Sequence, residues 1–218
     1  MSIFSKLHSF GSSGDKMNLL MFKLHHQKLL LYKFLSGVLS KIQLSLKGIV
    51  SGRDLAFFGV PYFHRYPDSI ISLGNKCTFR SDQTSNLIGT NHKCIISTHN
   101  EEAIIRIGNN CGFSGVTIGA AKKIIIGNNV LCGANVVITD FDWHLDISNT
   151  QPHPVIIHDN TWIGLNTVIL KGVEIGENSI IGANSLVVSN IPANVIAGGN
   201  PCKVLKSTPV IFNKGFNL

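Results

Sequence analysis

The sequence predicts an all-β fold, a parallel β-helix of short stacked strands, with a helical segment ahead of it and a short tail behind. Three regularities carry this reading. From Ile157 onward an aliphatic residue returns every six positions, at Ile157, Ile163, Ile169, Ile175, Ile181 and Val187. A small or β-branched residue stands four places after it, at Thr161, Thr167, Val173, Ser179 and Ser185, and glycine follows it directly at Gly164, Gly176 and Gly182. Asn recurs three places after it, at Asn110, Asn129, Asn135, Asn160, Asn166, Asn178, Asn184 and Asn190. Asn tolerates the left-handed backbone region better than other non-glycine residues, so this position reads as a corner. Each six-residue unit is then a flat strand and a corner with its aliphatic side chain inward. Three units close a triangular coil, and stacked coils bury a continuous apolar column. Plain strand alternation also fits a period of six, but it would not hold Asn and Gly at fixed offsets.

The remaining elements follow along the chain. Residues 1–50 read as a helical segment, because Leu and Lys recur at roughly helical spacing from Met17 to Lys47. One or two helices are expected there, covering the open end of the coils in preference to binding a membrane. Residues 51–201 form the β-helix. Gly48 to Pro67 reads as a linker or irregular strand region, followed by a degenerate repeat at Leu73-Gly74-Asn75-Lys76-Cys77 and Phe79. The frame then runs through Ile107 and Phe113 and through Ile126, Cys132 and Ile138. It breaks at 139–154, where Thr139-Asp140-Phe141-Asp142-Trp143-His144 and a polar stretch ending Pro152-His153-Pro154 cannot continue a coil. That segment is expected to project as a loop, the usual place for function on a rigid scaffold. Residues 202–218 read as a short basic tail.

Composition narrows the function classes. The net charge is +7, yet Lys and Arg are scattered in clusters no longer than Lys122-Lys123, without interleaved aromatics, so nucleic acid is not expected. A basic surface suits small phosphorylated ligands, acidic glycans or anionic lipid equally. The five cysteines are odd in number, widely spaced and without a Cys-x-x-Cys pair, which reads as reduced, buried thiols in the cytoplasm. No apolar run approaches the ~20 residues of a membrane span, and Met1 to Asp15 lacks the features of a secretory signal.

The Asp-x-Asp-x-His run at Asp140, Asp142 and His144 is the sharpest chemical feature. An imidazole with an ordinary pKa near ~6.5 suits proton transfer at neutral pH. Histidines elsewhere read more weakly. His8, His25, His26, His64 and His99 are taken as structural or surface residues, and His153 and His158 lack the spacing of a metal site.

The repeat and this loop resemble the hexapeptide-repeat acyltransferases, over roughly residues 70–206. The resemblance implies a left-handed parallel β-helix, against the usual right-handed crossover, and a homotrimer with active sites between neighbouring subunits. It implies an acetyl-CoA donor and a hydroxyl of a sugar or surface-polysaccharide precursor as acceptor, in the cytoplasm or at the inner face of the membrane. His144 matches the family's catalytic base, and Asp142 or Asp140 would orient its ring. Trp162, followed by Ile163 and Gly164, matches an aromatic that lines the acyl-donor side. Gly182, Ala183 and Gly198 match small positions beside the pantetheine arm, and Lys203 and Lys206 match basic positions that meet the nucleotide phosphates. Val188-Ser189 stands where the maltose and galactoside enzymes carry a Thr-Lys pair, placing Ser189 on the donor side. Their assisting Asn is replaced by Phe113-Ser114-Gly115, which leaves oxyanion stabilisation to a backbone amide or Ser114. With Asn91, His92 and Trp143, Ser114 is expected to meet the acceptor. These departures favour the polysaccharide-modifying members. An N-acyltransferase acting on an amino sugar and a non-catalytic or metal-binding β-helix, carbonic-anhydrase-like, are the alternatives; no metal is expected.

Overall fold

A computed structural model describes residues 13–143 and 151–208. Its strands stack into three parallel sheets, one for each side of a triangular coil. The first sheet orders Val50–Ser51, Ile70–Leu73, Ile104–Ile107, Lys123–Ile126, Val155–Ile157 and Glu174–Ile175. The second runs Ala56–Phe58, Thr78–Arg80, Gly112–Ser114, Leu131–Ala134, Trp162–Ile163, Ile180–Ile181 and Val195–Gly198, and ends on Lys203–Ser207. The third holds Tyr62–His64, Ile95–Thr98, Thr117–Ala120, Val137–Thr139, Val168–Ile169 and Leu186–Val187. Ile157, Ile163, Ile169, Ile175, Ile181 and Val187 are all buried and form the inward column that the six-residue period predicts. Towards the N-terminus the column becomes aromatic: Phe79 stacks between Phe57 at 5.4 Å and Phe113 at 5.2 Å.

The corners behave as their chemistry dictates. Asn110, Asn129, Asn135, Asn160, Asn166, Asn178 and Asn184 all have positive φ, for example 56° at Asn129. Their amides also bond from coil to coil, Asn129 Nδ2 donating to Asn160 Oδ1 at 2.9 Å and Asn160 Nδ2 to Asn178 Oδ1 at 3.1 Å. A polar corner thereby meets its own hydrogen-bonding needs in the stacking direction. Asn190 departs from the pattern. It is not among the positive-φ residues, its Oδ1 accepts the Glu174 N–H at 2.9 Å, and Asn194 takes the left-handed position with φ 61°. All five cysteines are free and buried, and burial pushes the Cys94 and Cys132 thiols up, leaving them protonated.

Three segments are more definite than the sequence makes them, and one of these corrects it. Of the two readings of residues 48–67, linker or irregular strand region, the structure shows strands: Val50–Ser51, Ala56–Phe58 and Tyr62–His64 make a complete first coil, with Phe57 and Phe63 buried. The segment read as a tail supplies Lys203–Ser207, which pairs antiparallel with Val195–Gly198 and closes the edge of the second sheet. The N-terminal segment is a single helix, α1, Ser13–Leu46. Only its last third rests on the coils, where Ser36, Ser40 and Leu44 are buried. Gly59 N–H donates to Ser36 Oγ at 3.1 Å, and Phe63 N–H to Gln43 Oε1 at 3.1 Å.

Candidate active site

The break at 139–154 lies between the third and first sheets, and Asp140 anchors its start. This side chain is fully buried, and its carboxylate accepts backbone N–H groups from Ala121 at 2.7 Å, Lys122 at 2.8 Å and also Lys123. Burial pushes the Asp140 carboxyl up, and those N–H groups pull it back down. The far end of the loop returns to the same place. His153 N–H donates to the Asp140 carbonyl at 2.8 Å, and Gly172 N–H to the His153 carbonyl at 3.0 Å. Asp142 pairs with Lys171 Nζ at 2.5 Å. Both carboxylates expected to orient His144 therefore hold other partners, and His144 itself lies outside the described residues.

Trp143, the last described residue before His144, is held by the third sheet. His64, Ser97, Gly119 and Thr139 form one register row across that sheet. The Trp143 ring lies over Gly119, so closely that a Cβ there would stand 2.6 Å from Cζ2. Phe141 lies beside the indole at 4.7 Å with its ring tilted by 42°, and His99 meets it edge-on at 4.9 Å. His99 Nε2 also bonds Ser97 Oγ at 2.9 Å. Burial and then the nearby His64 hold the His99 imidazolium form down, against a smaller pull from Asp140. The result is an aromatic wall whose Trp143 is 49% exposed, backed by a histidine that is mostly neutral at neutral pH. In the sequence His99 reads as a structural or surface residue. Only its two-residue offset from Ser97 in an outward strand row marks it, and that signal needs the fold to be seen.

The second sheet carries a separate feature. Trp162 pairs with Leu131 and Ile180 and is 46% exposed. It borders a groove of about 430 Å³ shared with Arg80, Asn86, Leu87, Ser114 and Gly133. Asn86 Nδ2 donates to Ser114 Oγ at 3.0 Å, and Arg80 donates to the Ser85 carbonyl at 2.5 Å, so the segment after Thr78–Arg80 folds over one side. Asn91 and His92 lie near the corner between the second and third sheets. Asn91 N–H donates to Asn135 Oδ1 at 2.8 Å, and the His92 ring bonds the Lys93 carbonyl at 2.8 Å. The expected acceptor contacts divide accordingly, Ser114 on the second sheet and Trp143 on the third.

The expected donor residues fall mostly on one column of the second sheet. Trp162 pairs beside Ile180, Ile181 beside Ala197, and Gly198 beside Lys203. Their glycines are not equivalent. A Cβ on Gly164 would meet the Ala183 backbone nitrogen at 2.5 Å, so coil stacking alone demands glycine there. At Gly182 and Gly198 the nearest atoms would be 3.5 Å away, an ordinary contact, and neither has positive φ. Stacking does not require glycine at those two places. Ala183, Lys203 and Lys206 are exposed alongside. Ser189 is apart from them, exposed beyond Leu186–Val187 of the third sheet. Among the described residues no three His, Cys, Asp or Glu side chains gather as a metal site would.

Comparison with known proteins agrees with this architecture. The family described as bacterial transferase hexapeptide (six repeats) matches residues 154–189. The galactoside O-acetyltransferase of Escherichia coli is 41% identical over 96 residues, 42% of this chain and 47% of that one. The 2,3,4,5-tetrahydropyridine-2,6-dicarboxylate N-acetyltransferase of Staphylococcus aureus is 40% identical over 81 residues, 37% of this chain and 32% of that one. The chain thus spans about half the length of the curated relatives it matches, or less. Among solved structures, a mutant of the N-acyltransferase AntD from Bacillus cereus, in complex with dTDP-4-amino-4,6-dideoxyglucose and coenzyme A, superposes with a TM-score of 0.59. That match covers 78% of this chain and 90% of the other at 19% identity, a likeness of fold. Residues 154–189 match the hexapeptide-repeat transferase family, and the coils on either side continue the same frame.

Proposed function

We propose that the protein is an acetyl-CoA-dependent O-acetyltransferase that acts on a hydroxyl of a sugar or surface-polysaccharide precursor in the cytoplasm. The β-helix is read as left-handed and the active assembly as a homotrimer. The observation that carries the reading is the anchored loop: Asp140 ties its base to Ala121 and Lys122, and Trp143, the residue before His144 in the chain, is seated on Gly119. A neighbour in the trimer would bring its Trp162 and Ser114 face to that loop. The division of the expected site residues between two sheets supports this arrangement.

In the reaction His144 takes the proton of the acceptor hydroxyl as its oxygen attacks the thioester carbonyl. The new C–O bond forms a tetrahedral oxyanion, which a backbone amide or Ser114 stabilises. The C–S bond then breaks, and the thiolate of coenzyme A leaves with the proton returned from His144. The open backbone at Gly182 and Gly198 suits close approach of the pantetheine arm, and Lys203 and Lys206 suit its phosphates. The Trp143 and Phe141 faces suit stacking against a pyranose ring. An amine acceptor is the second reading, favoured by the match to an N-acetyltransferase; a screen of hydroxyl against amino sugars separates the two. His144→Ala should lower turnover by about 10²–10⁴-fold while leaving acetyl-CoA affinity intact. Turnover equal to wild type would refute the assignment.

A further inference from the structure

The exposed part of α1 is the largest feature the acyl-transfer site does not use. Every residue from 16 to 35 except Leu29 is exposed, among them Met17, Leu20, Phe22, Leu24, Leu31 and Phe34. About 17 residues of helix, roughly 25 Å at 1.5 Å per residue, precede Leu30, where the groove shared with Leu55 begins. Apolar side chains exposed in such number on one helix are stable only when something covers them. By length and composition α1 is apolar enough to cross a bilayer. Its lysines argue against crossing: Lys16, Lys23, Lys28, Lys33 and Lys41 leave no charge-free stretch longer than the seven residues 34–40. The end nearest the coils is also fixed by the burial of Ser36, Ser40 and Leu44.

We infer that α1 docks in the interface of an anionic lipid bilayer, lying along it and holding the β-helix against the membrane surface. Charge decides between this occupant and a second copy of the chain. Asp15 is the only acid in the helix, against five lysines, so a bundle of α1 helices would bring together five lysines for each acid. Anionic headgroups supply the missing countercharge, and lysine stems reach them while the apolar side chains enter the acyl region. A groove of about 330 Å³ at the junction with the coils has the same character: Leu30, Phe34, Val38 and Leu55 line it, with Lys33 and Lys41 alongside.

The test is flotation of the full-length protein with vesicles of phosphatidylcholine alone or of phosphatidylcholine and phosphatidylglycerol in equal parts. Binding is expected to the anionic vesicles and to weaken with salt. Lys16→Gln, Lys23→Gln and Lys28→Gln together alter no packed residue and should weaken it on the order of a hundredfold, about fivefold for each lysine. Leu20→Glu with Leu24→Glu and Leu31→Glu should abolish binding with the melting temperature unchanged. Equal binding to both vesicle types, or undiminished binding by the variants, would overturn the inference. So would an absence of vesicle binding in folded protein whose assembly shrinks with the glutamate variants, since a second copy then covers the helix.

Discussion

Gly119→Ala separates the seating of the loop from the stability of the coils. A Cβ on Gly119 would stand 2.6 Å from Trp143 Cζ2 and 2.9 Å from Cη2. Carbon atoms settle at roughly 3.5–4.0 Å, so the indole must withdraw by about 1 Å. The obstacle is a side chain on a loop, not backbone, and Gly119 lacks positive φ, so the strand itself accepts alanine. Loss of unfolded-state entropy even favours alanine by about 0.4–1 kcal/mol. The expected outcome is a melting temperature at or near wild type. A shift of about 1 Å in a positioning group costs on the order of a hundredfold in rate, so kcat/KM should fall by up to that factor. The assay is thiol release from acetyl-CoA with the best acceptor from the screen, beside thermal unfolding. Gly164→Ala is the contrast, because its Cβ meets the Ala183 backbone at 2.5 Å and should destabilise the coils outright. Full activity in folded Gly119→Ala would refute the claim that Trp143 must sit on that glycine.

Two further predictions concern stability. Asp140→Ala strands three backbone N–H groups in a buried site and should cost about 3 kcal/mol in urea unfolding, with Asp140→Asn intermediate because it keeps one acceptor; an unchanged midpoint would contradict the anchoring role. His99 is held below its ordinary pKa when folded, so the unfolded chain binds more protons, and the stability it contributes is full above about pH 6.5 and declines as pH falls below that value. His99→Gln should flatten that decline in melting temperature between about pH 7 and 5, whereas an unaltered slope would place the linkage elsewhere.

Most of the scaffold is legible in the sequence because each rule acts within six residues. Ile163 repeats Ile157, Asn160 repeats Asn129, and the inward column and corners follow. The first coil is hard to read because its inward positions, though six apart, are the aromatic Phe57 and Phe63 and not aliphatic residues. Lys203–Ser207 gave no strand signal because its partner, Val195–Gly198, lies across a turn and its five residues are all exposed. The loop was visible as a break in the period, but the partners of Asp140 and Asp142 were not. Ala121 and Lys171 are brought to them by coil stacking, over separations no local pattern encodes. The same holds for the Trp143–His99 contact and for the Asn86–Ser114 bond beside Trp162.

The measurement that tests the central claim most directly is a calorimetric titration of the assembled protein with acetyl-CoA, which needs no knowledge of the acceptor. Saturable binding near one site per chain is predicted, weakened about fivefold or more when Lys203 and Lys206 are changed to Gln. Folded, assembled protein that takes up no acetyl-CoA would contradict the acyl-transfer account.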